Sequence, residues 1–535
     1  KYLCTTTYLP GRGTESSPYL IYTAYQLDKV RLNRDAYYKL MKDIDISYAN
    51  YQSETNTEEK GWTSIGSVSN PFTGTFDGND KSITGMNINN SDGTVEAFGL
   101  FGFISDATIK NLTLERGSIN SSAFANSSAS AYYTVGGVGA LAGLVTSGRR
   151  GVTISNCKNY VNIFTQKNYC NSGLLGVVNL SKGSINIENC INRGSIATND
   201  GYYNGGICGT MQITGSASAT IANCSNYVNI LGVYYCGGII GQTKGNCLIS
   251  NCSNYAALNC SNMGAYCSYY GGIAGIVYAE TIIENSVNYG YIYSNAYSAG
   301  IVAYNNGEII NCCNLSDVGN TNVGSTVGGI VAYNNGNIRN CYNTGNINAN
   351  EIAGGICGNN QTSGKVIQCY NSGNISASKT RAGGITSYNL SIIEDCYNIG
   401  DVKIANNSSD YYAGGIVGNN ASGTITNCFV DCNVIAATAS VGAIAGKNTN
   451  KLTIKDSFFT RDTTINSVAV TDLSQIVSNA VTTSSCNNLL EKGFETDISN
   501  AAWNDDCHWF NTDIWELSEE SNPKLVNCGC ALSYE

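Results

Sequence analysis

Carboxylates that could cleave a glycosidic bond are concentrated near the end of this chain. Asp505, Asp506 and Asp513 stand close to His508, the one histidine in 535 residues. Glycoside hydrolases need two carboxylates at a defined separation across a groove, and the order of residues here does not match such a pair. We interpret these acids as solvated side chains, and the sequence predicts no catalytic, cofactor-binding or metal-binding residue.

The 23 cysteines are a second group of reactive side chains. Nine of them share one column of a repeat with Ser286, and we interpret that column as a small buried slot, because unpaired cysteine is among the most buried residue types. Better disulfide candidates lie outside the column, in predicted loops: Cys170, Cys236, Cys247, Cys260, Cys267, Cys313 and Cys432. Cap or inter-subunit disulfides are predicted for the terminal cysteines, since an odd total leaves one thiol over: Cys4, Cys486, Cys507, Cys528 and Cys530. Cys528-Gly529-Cys530 has no partner pair at zinc-ligand spacing, so a zinc site is not expected.

Tyrosines recur at fixed distances from a glycine pair and could form a binding face. One column comprises Tyr203, Tyr235, Tyr269, Tyr297 and Tyr412, and a second comprises Tyr304, Tyr333 and Tyr388. Stacked rings could simply stabilise adjacent coils. Alternatively, an exposed aromatic face could bind sugar rings or another copy of the chain, since large exposed aromatic patches mark interfaces. Both interpretations remain open at the level of sequence.

These side chains are positioned by a repeat of the form aliphatic-x-x-Cys-x-Asn-x-x-x-aliphatic, which returns every 26 to 34 residues. The column positions are Cys157, Cys190, Cys224, Cys252, Ser286, Cys312, Cys341, Cys369, Cys396 and Cys428. Asparagine stands two residues later in the first nine repeats. We predict that this column forms a ladder of amides hydrogen-bonded from coil to coil, with Asn343, Asn371 and Asn398 among its members.

A second phrase, Ala/Val-Gly-Gly-Ile-x-Gly, alternates with the first and supplies another wall of each coil. Short aliphatic segments separated by Gly and Asn are typical of strands and turns. A single coil buries too little apolar surface to be stable alone, so the repeats must stack. The sequence therefore predicts an all-β fold, a parallel β-helix (β-solenoid) of about a dozen coils.

The two ends differ from the repeats and are interpreted as caps. Thr23 followed by Gln26 resembles a capping box, with Leu27 and Val30 on one face, and predicts a short helix. Residues 1–34 are assigned to this N-terminal cap, residues 35–457 to the β-helix and residues 458–535 to an irregular C-terminal cap. The absence of a hydrophobic leader at Lys1 suggests a trimmed product.

Composition excludes several classes of partner. Charged residues are 13% of the chain and the net charge is −10, which disfavours nucleic acid and anionic membrane surfaces. No run of 18 apolar residues is present, so membrane insertion is not expected. The partners that remain are other copies of the chain and surface glycans or ligands on a host or neighbouring cell.

Several motifs resemble those of GLUG-motif proteins. They are Trp62-x-x-Ile65-Gly66, Pro71 to Asn79, Gly99-Leu100-Phe101-Gly102, Ile109-Lys110-Asn111-Leu112, and the later Gly-Gly-Ile-Val-Gly and Asn-Cys-Tyr-Asn-x-Gly phrases. The resemblance covers roughly residues 18–520. It implies a β-helical, secreted or surface-attached protein, of the kind found in bacterial adhesins and beside the protease domain of immunoglobulin A peptidases. It implies no activity, and the His-Glu-x-x-His zinc motif of those peptidases is absent.

We therefore predict a non-catalytic, extracellular or cell-surface structural or adhesive rod. A further hypothesis is head-to-tail self-assembly into a filament, in which residues 503–535 of one copy meet residues 1–22 of the next. The alternative is a carbohydrate-active enzyme, a polysaccharide hydrolase or lyase on a β-helix, with its acids in the C-terminal cap.

Overall fold

The computed structural model describes residues 8–90, 97–122, 136–166, 170–260, 267–320, 324–406, 408, 410–436, 440–449, 454–455, 457–459, 463–470, 515–518 and 521–525. It is all-β, with 54% strand and 2% helix, and forms a parallel β-solenoid of about 11 turns. The predicted fold class is thus confirmed. The chain divides into two compact units: a first unit of Lys1–Cys267 with Ile273–Thr281, and a second of Ser268–Gly272 with Ile282–Glu535.

In the first unit, strands around the cysteine column form one sheet with the strands before it: Tyr19–Ile21, Tyr37–Leu40, Ile44–Asp45, Asn56–Thr57, Gly61–Trp62, Thr75–Asn90, Thr108–Ser121, Val152–Ser155, Lys158–Asn159, Asn162–Thr165, Ser184–Glu188, Ile191–Asn192, Ile196–Thr198, Ser218–Ala222, Ser225–Asn226, Ile230–Leu231, Cys247–Ser250 and Ser253–Asn254. A second sheet contains Phe101–Ser105, Ala142–Thr146, Leu175–Leu180, Cys208–Ile213, Ile240–Lys244 and Ala274–Val277. A third sheet contains Val138–Gly139, Cys170–Ser172, Tyr203–Gly205 and Cys236–Gly237. The strand Leu258–Asn259 belongs to a fourth sheet.

In the second unit, the strands flanking the cysteine column are Thr281–Glu284, Val287–Asn288, Glu308–Ile310, Cys313–Asn314, Asn337–Arg339, Tyr342–Asn343, Lys365–Ile367, Tyr370–Asn371, Ile392–Glu394, Tyr397–Asn398, Thr424–Thr426, Phe429–Val430, Ile454–Lys455 and Phe458–Phe459. A second sheet contains Val302–Asn305, Val331–Asn334, Cys357–Asn360, Thr386–Asn389, Val417–Asn420 and Ala445–Asn448. A third contains Tyr270–Gly271, Tyr297–Ala299, Thr326–Gly328, Ile352–Gly354, Arg381–Gly383, Tyr412–Gly414 and Ser440–Gly442. A fourth contains Ile292–Tyr293, Val318–Asn320, Ile347–Ala349, Ile375–Ala377, Val402–Ile404, Asn433–Ile435, Thr464–Ile465 and Val468–Ala469.

The N-terminal helix lies where the capping pattern predicts it, at Ala24–Asp28, followed by a 3₁₀ turn at Lys29–Leu32. The Thr23 hydroxyl accepts a hydrogen bond from the Gln26 backbone N–H at 3.3 Å, and the Gln26 side chain accepts one from the Tyr22 N–H at 2.7 Å. Both Leu27 and Val30 are fully buried. A strand at Tyr19–Ile21, which the sequence did not predict, precedes this helix and pairs with Tyr37–Leu40.

In the predicted C-terminal cap, the described residues include the antiparallel pair Trp515–Ser518 and Ser521–Leu525. Most of residues 471–535 lie outside the described ranges.

Each coil bends immediately before the cysteine column. The preceding residue adopts a left-handed conformation in all ten repeats, with φ between 49° and 55°. Eight of these ten residues are asparagine, the non-glycine type that tolerates this conformation best. The bend explains why Asn-Cys recurs as a pair.

Two residues after the column, the asparagines form buried ladders. In the first unit, Nδ2 of Asn159 donates to Oδ1 of Asn192 at 2.9 Å, and Asn192, Asn226 and Asn254 continue the chain at 3.0 Å per step. In the second unit, Asn288, Asn314, Asn343, Asn371 and Asn398 are linked in the same way at 2.7–2.8 Å. Most of these amides also donate to the backbone carbonyl two residues ahead. The ladder thereby holds both the next coil and the local turn.

The second glycine of most pairs packs against this ladder. A Cβ built on Gly329 would lie 2.5 Å from Cγ of Asn343, and one on Gly384 would lie 2.3 Å from Cγ of Asn398. Because a contact under 3.0 Å forces a displacement, only glycine fits there. The two repeated phrases of the sequence are therefore two sides of one buried contact.

Candidate binding face

The column cysteines are buried thiols that hydrogen-bond locally. Each Sγ donates to the carbonyl oxygen two residues earlier, as Cys341 does to Arg339 at 3.2 Å and Cys396 to Glu394 at 3.1 Å. Ser286 makes the same contact to Glu284 at 2.9 Å. Burial raises the pKa of Cys312 and Cys369 well above the usual thiol range. Cys312 and Cys369 are therefore poor nucleophiles, because the thiolate is the reactive form.

The described off-column cysteines are mostly in strands rather than in the predicted loops. Cys170, Cys236, Cys247 and Cys313 are strand residues. Cys170, Cys236 and Cys247 are buried thiols, and they fit there because cysteine behaves as a small apolar side chain. Cys260 and Cys267, flanking a short connection, do form a disulfide.

Cys313 is also disulfide-bonded. Cap or inter-subunit disulfides were predicted for the terminal cysteines. All of these cysteines lie outside the described residues: Cys4, Cys486, Cys507, Cys528 and Cys530.

In the first unit, two of the predicted tyrosines stack. The rings of Tyr203 and Tyr235 are 5.4 Å apart with an interplanar angle of 14°. Their neighbours Tyr202 and Tyr234 stack at 4.6 Å. Two adjacent pairs of stacked tyrosines therefore connect these two coils.

In the second unit, the two predicted columns meet. Tyr269 stacks on Tyr297 at 4.6 Å, and Tyr304 stacks on Tyr333 at 4.8 Å. The two stacks also contact each other edge to face, Tyr269 with Tyr304 at 6.2 Å and Tyr297 with Tyr333 at 6.4 Å. Tyr304 points outward, since its strand neighbours Ala303 and Asn305 are fully buried.

Outward side chains from neighbouring sheets can touch only where the coil surface bends inward. Glycine permits this bend: a Cβ on Gly328 would lie 1.9 Å from the carbonyl oxygen of Val331, and one on Gly358 would lie 2.6 Å from Cγ2 of Thr326. We call the side chains of these two columns in the second unit the corner face; Thr326 and Asn419 are buried, and the other members are partly exposed. One column is Tyr269, Tyr297, Thr326, Ile352, Arg381, Tyr412 and Ser440. The other is Tyr304, Tyr333, Asn359, Tyr388, Asn419 and Lys447.

The tyrosine columns are less continuous than the sequence pattern predicted. Three coils separate Tyr297 from Tyr412, and Asn359 separates Tyr333 from Tyr388. Instead of stacking on tyrosine, Tyr388 lies under the Arg381 guanidinium at 4.5 Å. Tyr412 lies under the Lys447 ammonium at 4.7 Å. Tyr270, a neighbour of this column, is fully buried rather than on the surface.

Sequence reasoning missed a second ladder and an exposed stripe. In the second unit Asn305, Asn334, Asn360, Asn389, Asn420 and Asn448 are linked through their amides at 2.8–2.9 Å. In the first unit Arg193 lies 4.0 Å over the ring of Tyr227, which stacks on Tyr255. The recurring Tyr-Asn dipeptides, such as Tyr304-Asn305 and Tyr333-Asn334, were the signal for the ladder.

The acidic cluster of Asp505, Asp506, His508 and Asp513 lies outside the described residues. Within the described ranges, no three His, Cys, Asp or Glu side chains come together as a metal site would require. The same ranges contain no helix with the length and apolar character needed to cross a bilayer.

Residues 323–348 match the family model named the GLUG motif. The chain carries the GLUG motif. The match falls in the second unit, and it confirms the resemblance noted from the sequence.

Two curated relatives share part of this GLUG-containing sequence. A protein of Evansella cellulosilytica, provisionally named a Gly-rich membrane protein, is 34% identical over 28% of this chain, and Halomucin of Haloquadratum walsbyi is 36% identical over 22%. The matched regions are 15% and 1% of those relatives' own lengths.

Among solved structures, the chain is similar to a protein of Bacteroides ovatus provisionally described as an immunoglobulin A1 protease, with 20% identity and a TM-score of 0.33 over 63% of this chain and 79% of that one. It is also similar to an IgA1 protease, with 14% identity and a TM-score of 0.27 over 66% of this chain and 21% of that one.

Proposed function

We propose that this chain is a non-catalytic structural part of an extracellular or cell-surface protein, and that its corner face binds glycans or a second copy of the chain. The β-solenoid, the GLUG motif and the relatives named a Gly-rich membrane protein and Halomucin fit a surface structural protein.

The buried asparagine ladders carry the structural part of this proposal. Polar residues that repeat in a binding or catalytic array would face outward, whereas Asn288, Asn314 and Asn343 are fully buried and bonded to one another. Buried polar networks in which every member is satisfied rigidify a core. The repeat is therefore explained by the stacking of coils.

The corner face carries the binding part. Stacked rings such as Tyr304 and Tyr333 cover each other's faces, so they offer their edges and phenol groups to a ligand. Parallel strands repeat about every 4.8 Å, which suits a ligand that is itself a repeating polymer. Phenol groups both donate and accept hydrogen bonds, as sugar hydroxyls do.

Affinity electrophoresis against a polysaccharide panel tests the binding. We expect the Tyr304→Ala/Tyr333→Ala double variant to lose retardation that the wild type shows. Tyr289→Ala/Tyr291→Ala is the matched control, since it removes two tyrosines of the same unit that are 44% and 37% exposed. Equal loss in both double variants would contradict the proposal.

Two further assays address catalysis and self-assembly. Incubation with the same polysaccharides should release neither reducing ends nor unsaturated uronates, and activity abolished by Asp505→Ala would establish the enzyme alternative. Sedimentation at high concentration, with reducing and non-reducing electrophoresis of wild type and Cys4→Ser, tests the filament. If the protein sediments as a monomer and non-reducing electrophoresis shows no ladder of disulfide-linked species, the self-assembly hypothesis is wrong and the adhesion hypothesis remains.

A further inference from the structure

Two cations interrupt the tyrosines at one end of the corner face. The guanidinium of Arg381 lies 4.5 Å from the ring centre of Tyr388, and Nζ of Lys447 lies 4.7 Å from that of Tyr412. Lys447 also donates a hydrogen bond to the Tyr412 hydroxyl at 3.1 Å. Cation–π contacts of this kind fix the direction of a flexible cation.

The strand register places these cations on nearby coils. Arg381 pairs with Tyr412 on the next coil, while Tyr388 pairs with Asn419 and Asn419 with Lys447. Lys447 is thus two coils beyond Arg381, which corresponds to about 10 Å along the stack at about 4.8 Å per step. The two charges can therefore contact one extended ligand.

No acidic side chain stands in either column of the corner face. Their other members are tyrosine, threonine, isoleucine, serine and asparagine. The ion pairs identified among the described residues lie elsewhere, at Asp28 with Arg31 and at Asp77 with Lys110. Neither Arg381 nor Lys447 forms an ion pair with an acidic side chain in the described part of the chain. The acids nearest to the columns in sequence are Glu351, which precedes Ile352, and Asp410, which precedes Tyr411 and Tyr412.

Three buried polar atoms of Arg381 and of the neighbouring strands lack protein partners. Nε of Arg381, Oγ1 of Thr386 and Oδ1 of Asn419 are buried without a hydrogen bond. Thr386 and Tyr388 belong to the same strand, Thr386–Asn389, and Asn419 pairs with Tyr388 on the next coil. Most buried polar groups in native proteins are satisfied, so the unpartnered Nε of Arg381 marks a cation of the corner face whose hydrogen bonds are not all made within the described part of the chain.

We propose that the corner face binds an acidic polysaccharide, with Arg381 and Lys447 receiving its carboxylate or sulfate groups. This inference rests on the proposed glycan binding and names the class of glycan. The planar guanidinium matches a carboxylate or sulfate through paired N–H donors. On a chain with net charge −10, two cations without acidic partners select for anionic groups by charge complementarity.

Titration of the full chain with polygalacturonate, dextran sulfate and neutral dextran tests this inference. We expect both acidic polymers to bind, more weakly as salt screens the charges, and neutral dextran to bind less well. Arg381→Gln should lower the affinity for the acidic polymers by about tenfold or more, which corresponds to the loss of one hydrogen bond to a charged group. A difference between polygalacturonate and dextran sulfate identifies whether carboxylate or sulfate is preferred.

Arg193→Gln is the matched control, because Arg193 also stacks on a tyrosine, Tyr227, but in the first unit. It should leave the affinity unchanged. Arg381→Lys, which keeps the charge but not the paired donors, should have an intermediate effect. If Arg381→Gln lowers the unfolding midpoint, Lys447→Gln supplies the same test from the neighbouring column.

The outcomes separate this inference from the proposed function. Unchanged affinity in Arg381→Gln and Lys447→Gln, or equal loss in Arg193→Gln, overturns the acidic-ligand inference. Neutral dextran binding that depends on Tyr304 and Tyr333 but not on Arg381 also overturns it, while glycan binding itself stands. If no polysaccharide binds and the two cation variants alter only sedimentation, the cations belong to an interface between copies and the inference is wrong.

Discussion

Gly355 lies directly against the side-chain amide of Asn371. A Cβ built on Gly355 would be 2.5 Å from Cγ of Asn371 and 2.0 Å from the carbonyl oxygen of Gly384. The glycine of one repeated phrase is thus required by the asparagine of the other, and neither can change alone without disturbing the next coil.

Gly355→Ala should therefore be strongly destabilising. The added methyl group meets backbone as well as the ladder, neither of which can move freely, so we expect a loss of about 3 kcal/mol of unfolding free energy, as for an overpacked core site. Urea denaturation followed by circular dichroism measures this loss. Gly319→Ala is the control, because its Cβ would meet only the terminal part of the Tyr291 side chain, which can rotate away. Similar losses in both variants would contradict the close packing at Gly355.

Asn371→Ala tests the ladder itself. It removes the acceptor of Asn343 and the donor to Asn398, both at 2.7 Å, and leaves the Gly373 carbonyl without its side-chain partner. Each unsatisfied buried group costs about 1–3 kcal/mol, so we expect a loss of about 3 kcal/mol or more in the same denaturation assay. Asn348→Ala, at an exposed position of Ile347–Ala349, should change stability by less than about 0.5 kcal/mol. A loss in Asn371→Ala no larger than that would remove the ladder as a source of stability.

The repeat spacing was sufficient to predict the fold, because identical positions in a parallel stack must lie above one another. The aliphatic column illustrates this: Ile309 pairs with Ile338, and Ile338 with Val366. The contact of Tyr297 with Tyr333 was not predictable from spacing. It depends on the angle between two sheets, which the glycine backbone sets.

Arg381 escaped sequence reasoning for a related reason. Arg381 occupies a position of the tyrosine column without being tyrosine, so the recurrence of tyrosine does not indicate it. The contact between Arg381 and the ring of Tyr388 is seen only in the structure. A repeat predicts which residues lie above one another in a column. The chemistry of a face also depends on the residues that differ from the repeat, such as Arg381.

Column cysteines should tolerate serine but not larger residues. Ser286 already occupies the slot and donates to Glu284 as Cys341 donates to Arg339. We expect Cys341→Ser to cost less than about 1.5 kcal/mol, and Cys341→Leu to cost about 1–3 kcal/mol or more, because it overpacks a fully buried site. Thermal and urea unfolding of the two variants provide the comparison. Equal tolerance of leucine would mean that the slot is not close-packed.

The buried thiols should make the protein sensitive to alkali. Burial raises the pKa of Cys341 and Cys369 well above the usual range, and that of Cys247 to about 12. The pKa of a thiol in the unfolded chain is about 8.5. Above that pH the unfolded state binds fewer protons than the folded state, so the free energy of unfolding falls as pH rises, by up to about 1.4 kcal/mol per pH unit for each thiol. Below about pH 7 these thiols contribute almost no pH dependence, because both states are protonated.

Urea midpoints measured between about pH 7 and pH 10 should therefore be level at first and then decline, over the range in which unfolded thiols titrate. The Cys341→Ser/Cys369→Ser double variant should decline less steeply, since serine does not titrate there and the tyrosines and remaining thiols are unchanged. At pH 8, a thiol reagent should not label the column cysteines of the folded protein. It should label them only after urea has unfolded the chain. An unchanged slope in the double variant, or rapid labelling of Cys341 in the folded protein, would show that the column is open to water.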